Sequence, residues 1–258
     1  MARILNKCYY RAMTTPHDWA AACDVAAGEM LALAGVFGPP VDVLVIAQQL
    51  QIELAWDASQ SGRARLQRLS GRPAIFLRPG DRPERVQWAA AHELGEQLAE
   101  SVVTTLGLSA TELLPRQREE IANQLANRIL LPSDWFESAC RACHGDLYRL
   151  KETFSTASHE LLAWRLLDQS GDRIVTMIDQ GQVSRRRCNF AQRAPTPLSI
   201  ETETWRRAGE TGHYAVESSA GCAVRVWPVH EPEWKREIAV TEVDAEQWTE
   251  FAGDADDS

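Results

Sequence analysis

Two long helical patterns, each bounded by proline, constrain this chain more than anything else in it. Residues 83–103 repeat apolar residues at helical spacing, and Pro115 restarts a second pattern, RQREEIANQLANRILL, which Pro132 ends. Proline has φ fixed near the helical value and no N–H to satisfy, so it opens a helix readily and interrupts one already running. A loop containing GLSATELLP joins the two segments. The helices can therefore pack side by side, with whatever chemistry they carry on their facing stripes.

The first helix carries AHELGEQLAE at 91–100. Residues four apart share a helix face, so His92 and Glu96 can both point at one metal ion. Glu93 lies about 100° round the axis, placed to serve a water at the metal rather than the metal itself. This is the arithmetic of His-Glu-x-x-His zinc sites, and a carboxylate is an admissible ligand at the second position. A His-Glu pair alone is a weak signal: the six histidines form three such pairs, His92-Glu93, His159-Glu160 and His230-Glu231. A third ligand is needed. The second helix offers Glu119 and its neighbour Glu120, and helix geometry alone leaves both open.

Elsewhere the pattern is mixed, giving an α+β chain. Residues 17–36 are alanine-rich with helical spacing and are expected to stop at Gly38-Pro39-Pro40. VDVLVIAQQL (41–50) reads as a second helix, and IELAW (52–56) as a strand. Residues 62–80 read as a strand, a Gly-Arg-Pro turn and the strand AIFLR. DLYRLKETF (146–154) and ASHELLAWRLLD (157–168) are helical. From Gly171 onward short β-branched segments predominate (DRIVTMID, QVSRRRCNF, GCAVRVWPV, KREIAVTEV), with a short closing helix expected at 245–251.

The net charge is −9, and seven of the acids fall in residues 241–258, which hold no Lys or Arg. The last residues are expected to form a solvated acidic tail. An acidic chain argues against direct nucleic-acid binding. The start lacks an apolar signal core and no run of eighteen apolar residues occurs, so a cytoplasmic setting without membrane attachment is expected. The six cysteines are then expected to be reduced. Cys140-Arg-Ala-Cys143-His144 matches the spacing of c-type haem attachment, but without an export signal it reads as two cysteines near a helix end. Arg185-Arg186-Arg187 reads as the solvated face of an edge strand.

The segments PPVDVLVIAQQLQI (39–52), AHELGE (91–96) and EEIANQLANRILLP (119–132), with an arginine-led strand pair between the first two, resemble the ImmA/IrrE family of zinc metallopeptidases. The resemblance spans residues 20–168. It implies a mostly helical, zincin-like metallopeptidase domain with a small β-sheet over residues 1–170, followed by a β-rich accessory region with an acidic tail over 171–258. It also implies that Glu119, which opens the family's E-x-x-A-N element, completes the metal site. One position departs: the family's second helix ligand is His, and here it is Glu96. Two carboxylates and one imidazole weaken an ion's pull on water and loosen selectivity, so zinc is expected, with manganese or iron as alternatives. Glu93 and Gly95 are retained, which favours an occupied site over a dead one.

The resemblance implies an endopeptidase in which Glu93 is the general base. His159, in a segment like the family's S-x-E…RL element, is expected to stabilise the oxyanion. Its substrate would be a regulatory protein such as a helix-turn-helix repressor. Too few residues precede the first helix for a DNA-binding module, so that regulator is expected on a separate chain. The rival reading is a catalytically inactive module of the same fold that acts through protein–protein interaction or sensing.

Overall fold

A computed structural model describes residues 15–244 except 110, 112, 220 and 232. The expected closing helix at 245–251 and most of the acidic tail lie outside the described residues. The fold is α+β. Residues 15–139 together with 153–158 form one compact unit, and 140–152 with 159–244 form another. Among the described residues, no helix is long and apolar enough to cross a membrane.

In the first unit, helix α1 (Pro16–Leu33) begins at a capping box in which Thr15 and Asp18 satisfy each other's backbone N–H. It ends before the expected Gly38-Pro39-Pro40 stop. Gly35 adopts φ 70°, and the Val36 N–H reaches back to the Leu31 carbonyl at 2.9 Å, closing the helix without proline. Helix α2 (Val43–Gln49) is capped by Asp42. Gln87 secures that cap from a distant helix, accepting from Val43 N and donating to Asp42 Oδ1 at 2.7 and 2.8 Å.

Strands β1 (Glu53–Trp56), β2 (Ala64–Leu69) and β3 (Arg72–Leu77) form a sheet in the order β1-β3-β2. β1 runs parallel to β3, and β2 antiparallel to it. The hairpin turn is Ser70-Gly71, with φ of 51° and 84°, rather than the expected Gly-Arg-Pro. Two positive φ values match the right-handed twist of the flanking strands. Pro73 sits inside β3 opposite Arg68. One step from a two-residue turn that pair exchanges no backbone hydrogen bonds, so the missing N–H is not needed.

Helix α3 (Pro83–Thr105) and helix α4 (Pro115–Leu130) follow, as the proline punctuation predicts. They approach closely at Gly95, where an added Cβ would stand 2.6 Å from the Ala122 carbonyl oxygen and 3.1 Å from Leu125 Cβ. Helix α5 (Ser133–Cys143) has no counterpart in the sequence reading, although its two cysteines do lie at a helix end. Its Phe136 packs against Phe154 inside the first unit's core, with ring centroids 5.7 Å apart.

The second unit holds α6 (Leu147–Thr153, whose last residue counts with the first unit), α7 (His159–Arg165) and a short 3₁₀ turn (Leu166–Asp168). Strands β4 (Asp172–Asp179), β5 (Gln182–Cys188), β6 (Ala215–Ser219), β7 (Cys222–Pro228) and β8 (Arg236–Val243) form an antiparallel sheet in the order β5-β4-β8-β7-β6. Helix α8 (Ser199–Thr211), a further element the apolar pattern does not reveal, packs on this sheet. Ala208 and the partly buried Trp205 and Ile200 meet Ile174, Ile178, Val224 and Val226.

Of the three arginines of β5, an edge strand, Arg185 and Arg187 are exposed as expected, whereas Arg186 turns inward. Arg186 makes a bidentate pair with the fully buried Glu201 of α8, at 2.8 and 3.0 Å. Thr241 Oγ1 and the Leu198 N–H donate to the same carboxylate at 2.6 and 2.9 Å. Arg185 pairs with Glu160, and Arg187 covers the ring of Trp164.

Gly95→Ala forces a methyl against a backbone carbonyl and should destabilise the first unit by about 1–3 kcal/mol in urea unfolding, despite alanine's better helix propensity. At Asp179, burial alone would raise the carboxyl's pKa. Hydrogen bonds from Arg236, Ser184 and Trp234, with the Arg236 charge, outweigh that and hold it below the ordinary value. A lowered carboxyl stabilises the fold fully above its unfolded value and loses that contribution as pH falls through the folded value. Asp179→Asn should therefore cost about 1–2 kcal/mol at neutral pH. The gap to wild type should shrink as pH drops below about 4.

Candidate metal centre

Helix α3 presents Trp88, His92 and Glu96 at successive intervals of four, and α4 presents Glu119, Asn123 and Asn127 at the same interval. The two stripes face one another and run antiparallel. Trp88 Nε1 donates to Asn127 Oδ1 at 3.3 Å, and His92 Nδ1 meets Asn123 Oδ1 at 3.1 Å. At the third rung, His92 Nε2 lies 3.7 Å from Glu96 Oε1 and 3.6 Å from Glu119 Oε1. One ligand atom from each of these three residues falls within 4.8 Å of the others. Trp88 also stacks on the imidazole, with centroids 5.4 Å apart and planes inclined 27°.

This donor set fits a divalent ion. Tetrahedral coordination at zinc's usual bond lengths separates ligand atoms by about 3.4 Å, close to the distances from His92 Nε2. An Asn123 oxygen at Nδ1 fixes the tautomer in which Nδ1 carries the proton, leaving the Nε2 lone pair free for a metal. Glu96 and Glu119 side chains are 43% and 56% exposed, whereas His92 is 13% exposed. The site is thus held rigidly at its imidazole and open to solvent at its carboxylates. Two glutamates converge here on a single imidazole, an arrangement that a cation relieves.

Glu93 points away from the ligand stripe, into the unit. It is 8% exposed, and its Oε2 accepts the Leu66 N–H at 2.6 Å. Leu66 lies in β2, an edge strand, opposite Ile75. That position does not hydrogen-bond to β3, so its N–H points outward and needs a partner. Burial, then the Glu96 charge, raise the Glu93 carboxyl above its ordinary value, against the lowering effect of Leu66 N–H and His92. A carboxyl moved toward neutrality suits proton transfer.

His92, Glu96 and Glu119 are thus brought together, with Glu93 beside them. Glu120, the competitor left open by helix geometry, pairs instead with Arg116 at 3.0 Å. His159 belongs to the other unit, at the first position of α7, edge-on to Tyr148 with centroids 6.2 Å apart. Cys140 and Cys143 are buried free thiols, and burial pushes Cys140 up to about 12. Sequence reasoning missed the roles of Asn123, Trp88 and the Leu66 N–H. The first two carried a signal, since each lies four residues from a metal-ligand candidate on its own helix. A backbone N–H carries none.

Comparison with known proteins bears on the same region. The peptidase M78 family, described as an IrrE N-terminal-like domain, matches residues 47–166. No curated protein matches the chain. Among solved structures, a Mycobacterium tuberculosis transcriptional regulator is similar in fold, with a TM-score of 0.61 at 17% identity, covering 86% of this chain and 75% of that one. The matched family segment contains the three-stranded sheet, the His92–Glu96 helix and the Glu119 helix. Over residues 47–166 the chain is therefore similar to the IrrE N-terminal-like domain of the peptidase M78 family.

Proposed function

We propose that this protein is a metal-dependent endopeptidase that cleaves a regulatory protein carried on a separate chain, a helix-turn-helix repressor being the type expected. The observation that carries this reading is the convergence of His92 Nε2, Glu96 and Glu119, with the buried Glu93 alongside. His92, Glu96 and Glu119 would hold the ion, zinc first and manganese or iron next. When bound, such an ion lowers the pKa of water and polarises a peptide carbonyl. Asn123 keeps the His92 ring in its ligating tautomer, and Trp88 restrains its plane. Leu66 N–H occupies Glu93 Oε2, which leaves Oε1 to take a proton from the attacking water and return it to the leaving amine nitrogen. The family resemblance supports the choice of a regulator as substrate, and the fold likeness to a transcriptional regulator accords with that setting. Glu96 in place of the family's histidine favours one alternative, a non-catalytic interaction module of the same fold.

Metal content and cleavage separate the two readings. Wild type should hold about one divalent ion per chain, matching the one cluster of three candidate ligands among the described residues. Glu93→Gln should keep the ion and lose cleavage by about 10²–10⁴-fold. Glu96→Ala should lose the ion, and Glu96→His should bind zinc at least as well as wild type. If Glu96→Ala retains metal like wild type, the His92–Glu96 ligand pair does not exist. If metal is bound but no candidate regulator is cleaved, the interaction module is favoured. Asn123→Ala should weaken metal affinity by about 10–100-fold through loss of the ring's orientation. Competition with a chelator of known affinity measures that change, and an unchanged affinity removes Asn123 from the site.

A further inference from the structure

The second unit contains a cavity of about 490 Å³, within the range of about 300–1,000 Å³ typical of small-molecule sites. It lies between helix α8 and one end of the sheet. Trp205 and Gly209 line it from the helix, and Ile178, Lys235 and Glu237 line it from the sheet side. Nothing about the metal centre requires it.

Glu237, the second residue of β8, is 3% exposed. Its Oε1 meets His230 Nε2 at 2.7 Å, and among the described residues that is its one polar partner. The other buried glutamate of this unit, Glu201, is satisfied by a bidentate arginine, a hydroxyl and a backbone N–H. A buried carboxylate with spare acceptor capacity is costly unless something else fills that capacity. The helix makes room for it. A Cβ at Gly209 would stand 3.0 Å from Glu237 Oε1 and 3.3 Å from its carboxyl carbon. Glycine weakens a helix interior, so its presence there is explained by the space it leaves for the carboxylate.

The charges around the cavity favour a cation. Arg206 and Glu210 pair with each other at 3.4 Å on the exposed side of α8. That leaves Glu203 and Glu237 against Lys235 among the lining residues. The partly buried Trp205 adds an aromatic wall, a surface that attracts cations through its ring quadrupole. We propose that this cavity binds a small organic cation, its ammonium or guanidinium group meeting Glu237 and its apolar body lying on Trp205 and Ile178.

Calorimetric titration of the full chain tests this with phenethylamine and agmatine as cationic probes and 2-phenylethanol as the neutral control. At least one cation should bind with a Kd of about 1 mM or tighter, and the alcohol at least tenfold more weakly than the amine. Glu237→Gln should weaken cation binding at least tenfold. Lys235→Glu, an exposed change that spares the core, should strengthen it severalfold, which keeps the test decisive if Glu237→Gln fails to fold. Absence of binding by both cations, equal binding of alcohol and amine, or affinity unmoved by Lys235→Glu would each overturn the proposal.

Discussion

Everything in the candidate site depends on how closely α3 and α4 approach at Gly95. The Ala122 carbonyl lies where any side chain at that position would begin. With the axes that near, short side chains span the gap. An asparagine reaches the imidazole, another reaches the Trp88 indole, and Glu119 comes within coordinating range of His92. A wider separation would leave the Asn123 amide short of Nδ1, and the imidazole free to rotate and to choose its tautomer. One absent methyl group in the helix packing thus becomes a chemical constraint on a ring nitrogen. Gly95 and Ala122 belong to the site as much as its ligands do, although neither carries a functional group.

The substitution at position 96 changes the charge of this ladder without breaking its geometry. Histidine and glutamate both reach a metal from the fourth position of a helix stripe, so the backbone does not need to move. The electrostatic balance does move. With Glu96 and Glu119 as ligands and Glu93 behind them, three carboxylates share one small volume, and part of the rise at Glu93 comes from Glu96 itself. A cation would relieve this repulsion, so affinity for it and the proton affinity of Glu93 are coupled through the same residue. Hard oxygen donors tilt preference away from the softer ligand sets that favour zinc most strongly.

Much of this architecture was legible in the sequence because proline and helical spacing are local signals. Pro83, Pro115 and Pro132 bound α3 and α4, and the stripe at 92 and 96 picks out the candidate metal-facing side before any fold is known. The choice of Glu119 over Glu120 was not legible from spacing; it came from family resemblance, and in the structure it corresponds to Glu120 being engaged by Arg116. The Ser70-Gly71 turn was misplaced because Gly71-Arg72-Pro73 looks like stronger punctuation. A proline opposite a non-hydrogen-bonded position is harmless to a strand. Helix α8 was hidden for a different reason. Its core-facing side includes Glu201 and Thr204, so counting apolar residues finds no stripe.

The same physics accounts for the one arginine of the triplet that is not solvated, Arg186, and for the helix that escaped notice. A triplet of arginines on an edge strand looks solvated until a carboxylate arrives from elsewhere in the chain. The carboxylate arrives on α8, whose Glu201 is polar enough to erase the helix from a hydrophobic pattern. Each residue disguises the other: Arg186 is buried because Glu201 meets it, and Glu201 is tolerated in the core because Arg186, Thr241 and the Leu198 N–H exhaust its acceptors. Pairing of this kind spans β5, α8 and β8 and fixes where the helix sits on the sheet. The seating of α8 in turn sets the position of Gly209 against Glu237. A fully satisfied buried acid thus holds in place the wall that faces an incompletely satisfied one.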